Sequence, residues 1–235
     1  MKKDKAAYLA LYDREGNSLA EGEIHGQNGG YPIAIALSND AVKLAVSMIN
    51  INEGSVKSTI AFYNYGTVGQ NEIDHCVGVN NYDDMVIPEM EFTSNDRMVA
   101  FGDTKAVIFE GAQKPQAIAE IPMDEKTKSI FYNEHYIGIV TGNEDEAVTN
   151  HLAVYDENGK LVMEKDFGLD YSSIEFLTNN EICIRNANVC DIYTVHGVYK
   201  FHHEFEEELF EIIPGKLKLN YTLVLKDTTQ RIRLK

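Results

Sequence analysis

The chain has 235 residues, with 37 Asp and Glu against 21 Lys and Arg, a formal net charge of −16. A surface of that sign repels phosphate backbones and anionic lipid, which excludes nucleic acid as an expected partner. Apolar residues at 44% can fill a core, and thirteen Tyr and ten Phe without any Trp suit packing on pleated sheets.

Residues 7–22, AYLALYDREGNSLAEG, read as two alternating strands around a polar turn. The basic residues before them do not open a signal-like apolar run, because charge interrupts it at Asp13. HGQNGGYP, residues 25–32, is Gly-rich, but it leads into a strand and not a helix, so a tight turn is expected there in place of a phosphate cradle.

From residue 31 a unit repeats. IAIALSNDAVKLAVS, EMEFTSNDRMVAFGD, KSIFYNEHYIGIVTG and SIEFLTNNEICIRN each give a strand, an Asn-centred turn and a second strand. The aligned asparagines are Asn39, Asn95, Asn133 and Asn179, spaced 56, 38 and 46 residues apart. Asn and Asp tolerate the left-handed backbone of a tight hairpin and cap it with their side chains. Each pair is followed by an aromatic strand closed by a glycine, at Gly66, Gly111, Gly159 and Gly197, and then by a variable fourth strand. Four antiparallel strands every ~47 residues match a propeller blade.

The expected fold is therefore all-β, a β-propeller of about four full blades with incomplete blades at both ends. Its expected blades run over 31–81, 84–122, 126–168 and 170–206, with partial ones at 7–24 and 207–235, as a single domain or as the C-terminal portion of a larger propeller. A sandwich that merely contains several hairpins is the competing architecture. The opening hairpin aligns with LAVYDENGKLVMEKDF at Tyr12 and Tyr155, Asp13 and Asp156, and Gly16 and Gly159. It thus corresponds to the third and fourth strands of a blade, and residue 1 reads as a cut edge.

LYDREGNSLAEGEIHGQNGGYPIAIALSNDAVKLAVS, STIAFYNYGTVGQNEID, MVAFGD, QKP, KSIFYNEHYIGIV, IEFLTNNEICIRN, IYTVHGVYKF and IRLK follow one another in an order that resembles the domain of unknown function 5711 family. The resemblance covers nearly the whole chain and implies a bacterial protein with a basic cytoplasmic start, one transmembrane helix and an outward-facing domain of WD40- and quinoprotein-like repeats. That location is the extracytoplasmic face of the cell membrane for a full-length parent, reached only through an N-terminal helix that this sequence lacks. No run here approaches the ~18 apolar residues that span a bilayer, so the chain itself is expected to be soluble. The family supplies no catalytic residues.

Candidate chemistry is sparse. Cys183 and Cys190 lie on the two arms of one hairpin, with a register the sequence does not fix; with Cys76 they are expected as free thiols, not as a disulfide framework. His202 and His203 diverge to opposite faces of a strand, so with Glu204 and Glu206–Glu208 they suit a solvated edge better than a metal site. Asp83 and Asp84, and Glu144, Asp145 and Glu146, fall in expected loops without EF-hand spacing. No nucleophile elbow, zinc-protease helix or phosphate loop is present. Catalytic residues, metal sites and cofactors are accordingly expected to be none.

The reading is a non-enzymatic binding or scaffolding propeller for a protein, peptide or glycan. Tyr82, Asp83 and Asp84 are its loop candidates for ligand contact. The alternative is a hydrolase or lyase acting at the propeller mouth, which needs carboxylates, or a His with a carboxylate, to converge there. Oligomeric state is left open.

Overall fold

The computed structural model describes residues 7–12, 14–24, 30–52, 54–66, 75–123, 126–142 and 150–234. Every regular element among them is a strand, and every sheet is an antiparallel meander in chain order. The chain divides into two compact units, residues 1–125 and 126–235.

The first unit opens with a two-stranded hairpin, β1 (Ala7–Tyr12) and β2 (Ser18–Ile24). It continues with the sheet β3 (Tyr31–Leu37), β4 (Lys43–Asn52), β5 (Ser55–Asn64) and β6 (Cys76–Asp83). The sheet β7 (Glu89–Ser94), β8 (Arg97–Phe101), β9 (Lys105–Glu110) and β10 (Gln116–Pro122) completes it. The stretches Leu44–Met48 of β4 and Ile60–Tyr63 of β5 are covered on both faces, which is why LAVSM and IAFY read as near-continuous apolar runs. Ala45, Ile60 and Phe62 pack with Met90, Phe92, Met98, Val107 and Phe109, while Leu44, Val46, Met48, Ala61 and Tyr63 pack with Leu9 of β1.

The second unit holds two further four-stranded sheets. One is β11 (Thr127–Tyr132), β12 (Tyr136–Gly142), β13 (Asn150–Asp156) and β14 (Leu161–Phe167). The other is β15 (Ser173–Phe176), β16 (Ile182–Arg185), β17 (Val189–Tyr193) and β18 (Tyr199–Glu204). A three-stranded sheet follows, β19 (Leu209–Pro214), β20 (Asn220–Leu225) and β21 (Thr229–Arg233). Again the middle strands serve two cores. Ile182 and Ile184 pack with Val140, Leu152 and Val154, whereas Cys183, Cys190 and Ile192 pack with Leu209, Ile212, Tyr221 and Leu223.

The turn chemistry is visible bond by bond. Asn133 Oδ1 accepts from the backbone N–H of His135 and of Tyr136, both at 2.9 Å. In the first sheet the work falls to neighbours of Asn39: Ser38 Oγ donates to Asp40 at 2.6 Å, and Asp40 Oδ1 accepts from Val42 N–H at 3.1 Å. Turns of adjacent sheets also touch, through Asp40 N–H to Asn95 Oδ1 at 3.1 Å and Asn133 Nδ2 to Asn180 Oδ1 at 2.8 Å. In three of the four-stranded sheets the third and fourth strands shift register beside a tyrosine, at Tyr63, Tyr155 and Tyr193, and the β1–β2 hairpin shifts likewise at Tyr12, whereas β9 and β10 shift between Ala117 and Ala119. Gly111, at φ 151°, has no room for a side chain, because a Cβ there would lie 2.7 Å from Lys114 O. Gly138 faces the Phe131 ring across the β11–β12 ladder, where a Cβ would come within 2.2 Å.

The register also settles the cysteines of the β16–β17 hairpin. Cys183 lies opposite Ile192 and Cys190 opposite Arg185, so the two are diagonal neighbours on one face. Their sulfurs are 3.6 Å apart, both residues are free thiols and both are fully buried. The hydrogen bond to Cys190, with burial, pushes the Cys183 thiol well up, away from the reactive thiolate.

Candidate functional site at the end of strand β6

Tyr82 and Asp83 are the last two residues of β6 and not loop residues as their composition suggests; Asp84 forms the turn that follows. Pairing with β5 overrides the polar composition, with Ser58 opposite Tyr82 and Lys57 opposite Asp83. Asp84 takes a left-handed backbone, φ 52°, which Asp adopts more readily than most residues. Its N–H donates to Val56 O at 2.8 Å, and Ser55 Oγ lies 3.5 Å from its carboxylate.

Two apolar plugs hold the segment beyond. Met85 and Ile87 are buried in the core between the first unit's two four-stranded sheets, and the Met85 methyl lies over Gly102, 2.0 Å from where a Cβ would stand. Val86 N–H donates to the Asp103 carboxylate at 3.1 Å, and Asp103 N–H returns a bond to Val86 O at 3.0 Å. The loop is thus anchored from below.

Tyr82 packs its ring on the same core and receives Lys105 Nζ over its face, 5.7 Å from the ring centre. Lys105 in turn pairs with Glu120 at 2.7 Å. Burial, with the nearby Glu120 charge, raises the Tyr82 hydroxyl pKa against the opposing Asn80 hydrogen bond, so the phenol stays protonated at neutral pH. Asp83 points outward, its side chain 78% exposed, and meets Lys57 at 3.0 Å. The result is a rigid aromatic flank beside two solvent-facing carboxylates, suited to receiving a cation or hydrogen-bond donor on a partner.

Other sequence-level candidates fare differently. His202 Nδ1 donates to the Asp191 carboxylate at 2.7 Å, while His203 lies between Phe201 and Phe205, at ring separations of 6.0 and 4.6 Å. The two histidines diverge, as alternation along β18 requires. Residues 25–29 of the Gly-rich turn and the Glu144, Asp145 and Glu146 cluster lie outside the described residues. Among the described residues no group of three or more His, Cys, Asp and Glu side chains is placed to hold a metal ion. None of them forms a helix long and apolar enough to cross a membrane.

Sequence reasoning missed a cluster in the second unit. Glu181, 8% exposed, accepts from Tyr221 OH at 2.5 Å and from Lys200 Nζ, and Lys200 also reaches Tyr221 OH at 3.2 Å. Its members come from the β15–β16 turn, β18 and β20, up to 40 residues apart, so no local signal joins them.

The model of a family of unknown function (DUF5711) matches residues 1–234. No curated protein matches the chain. Among solved structures, the chain is similar to the β-propeller domain of the Trilobed protease from Pyrococcus furiosus, at 10% identity over 86% of this chain and 70% of that one, TM-score 0.49. It is similar to the Neurospora crassa Pan2 WD40 domain, at 7% identity over 96% and 69%, TM-score 0.46. It is also similar to BamB from Moraxella catarrhalis, at 11% identity over 94% of this chain, TM-score 0.42, and it spans only 64% of that chain.

Proposed function

Because the chain belongs to the DUF5711 family of unknown function, we propose from its own surface chemistry that it is a non-catalytic binding platform for a protein, peptide or glycan. One observation carries this reading: the Tyr82–Asp84 end is held rigid from below while its carboxylates face solvent. Pre-organised polar groups of that kind favour recognition, since little ordering entropy remains to be lost on binding. The four-stranded meanders support it, because stacked blades present loop-lined surfaces at their ends. Under this reading the partner carries Lys, Arg or another donor opposite Asp83 and Asp84. The site of action is the extracytoplasmic face of a bacterial membrane, the location the family resemblance implies.

An array of basic, neutral and acidic peptides together with neutral and charged glycans tests it. Ligands rich in donors are expected to bind, and D83N/D84N is expected to weaken them about tenfold, the loss of two charge-assisted contacts. The variant keeps its circular dichroism, because the exposed Lys57–Asp83 pair contributes little to stability. Binding that D83N/D84N leaves unchanged would remove this site from the reading.

A further inference from the structure

In each complete sheet a Lys or His side chain meets a carboxylate across the third and fourth strands. Lys57 of β5 meets Asp83 of β6 at 3.0 Å, and Lys105 of β9 meets Glu120 of β10 at 2.7 Å. His151 of β13 meets Asp166 of β14 at 2.8 Å, with Glu164 at 3.8 Å. Asp191 of β17 meets His202 of β18 at 2.7 Å, with the two residue types exchanged between the strands. Cross-strand pairs of opposite charge stabilise a ladder, and like charges directly opposite destabilise it.

The three-stranded sheet departs from this pattern. Among the described residues its third strand, β21, is an edge, with β20 on one side only. Arg231 lies opposite Thr222 and Arg233 opposite Asn220, which places both guanidinium-bearing residues on one face, two positions apart. Both are exposed, and among the described residues neither has an ion-pair partner. Charge is concentrated around them: residues 214–235 carry six Lys and Arg against a single Asp, in a chain of net charge −16. An unpaired strand edge offers a row of backbone donors and acceptors to any extended segment.

We infer that β21 is a receiving edge for an extended acidic segment of a partner protein. The segment adds as a fourth strand, with carboxylates at alternate positions meeting Arg231 and Arg233. Main-chain hydrogen bonds supply affinity, and the two guanidinium groups select for acidic side chains on one face. The charges select against the basic or phosphate-bearing ligands that a lone basic patch would also attract, because a phosphate backbone meets the acidic remainder of the chain. This edge involves different residues from the Tyr82–Asp84 site, so the two proposals stand or fall separately.

The test uses the full chain and a labelled nonapeptide, KLVMEKDFG, the sequence of residues 160–168, read by fluorescence anisotropy. That peptide already forms a fourth strand in the protein and carries Glu164 and Asp166 two positions apart, both against His151. Saturable binding is expected, about tenfold weaker for the E164Q/D166N peptide and weakened by salt. The R231E/R233E chain is expected to bind the parent peptide at least about tenfold less, and to regain binding with the E164K/D166K peptide. R231Q/R233Q, an uncharged change at the same exposed positions, gives the intermediate loss, and circular dichroism verifies that both variants fold. Absence of saturable binding to the wild-type chain up to about 1 mM, a free energy near the weakest specific associations, overturns the proposal. So does equal binding to wild type and R231E/R233E. A dimer seen by sedimentation that R231E/R233E dissolves and the peptide leaves intact would assign the edge to a second copy, and would overturn it as well.

Discussion

Replacing Phe109 with alanine is expected to lower the stability of the first unit by about 3–5 kcal/mol, the range for truncating a fully buried aromatic. Phe109 is fully buried on β9, and its ring centre lies 5.1 Å from that of Phe62 on β5, tilted by 59°. The pair spans the two four-stranded sheets of that unit, so its removal opens a cavity where they meet rather than at a yielding edge. The tilted aromatic contact contributes a further ~0.5–1.5 kcal/mol beyond area. Phe109→Leu, which refills most of the volume, is expected to recover over half of the loss. Urea unfolding followed by circular dichroism and tyrosine emission, unobscured because the chain has no Trp, provides the measurement. A loss below about 1 kcal/mol would mean that the two sheets do not share this core.

The second large effect is electrostatic. Lys200→Met is expected to cost about 2–3 kcal/mol, somewhat under the ~3–5 of a fully buried broken pair, because Lys200 keeps a 19% exposed side chain. The cost arises from Glu181, left in a buried position with only the Tyr221 hydroxyl. Adding Glu181→Gln to Lys200→Met is expected to restore most of the stability, since no unpaired charge then remains. A double variant as unstable as the single one would show that lost packing, and not the stranded carboxylate, sets the cost.

The same cluster gives a pH dependence with a definite sign. Burial alone would lower the Lys200 pKa, but its hydrogen bonds to Glu181 and Tyr221, with their charges, outweigh burial and hold it above the ordinary lysine range. Burial, followed by the bond to Glu181, likewise raises the Tyr221 phenol. Both groups therefore hold their protons more tightly in the folded state than in the unfolded one. Their stabilisation is complete below their unfolded pKa values, near 10, and is lost as pH rises through the raised folded values. Wild type is expected to lose stability above about pH 10 more steeply than the double variant.

Much of this architecture is legible in local chemistry. The turns at Asn133 and Asn179 follow from side-chain carbonyls that cap the adjacent N–H groups, at 2.9 and 3.3 Å respectively. Short apolar stretches such as Leu44–Met48 announce burial on both faces, and the fold class follows from their repetition. What eluded the sequence depends on partners far along the chain. Tyr82 and Asp83 look like loop residues until Ser58 and Lys57 lie opposite them. The diagonal meeting of Cys183 and Cys190 needs a register, and a slip of one residue would turn them to opposite faces. The Glu181, Lys200 and Tyr221 cluster exists only once β18, β20 and the β15–β16 turn come together. In the first turn, Asp40 and Ser38 perform the capping that composition assigns to Asn39.

In the proposed function, a rigid, non-catalytic surface around Tyr82 binds a discrete partner. Its most direct test is photo-crosslinking in the native host from a benzoylphenylalanine at position 82, with the same probe at Leu161, a 43% exposed residue elsewhere, as reference. One discrete adduct is expected from position 82, suppressed by D83N/D84N and absent from position 161. An adduct pattern identical at both positions, or none from position 82, would contradict it.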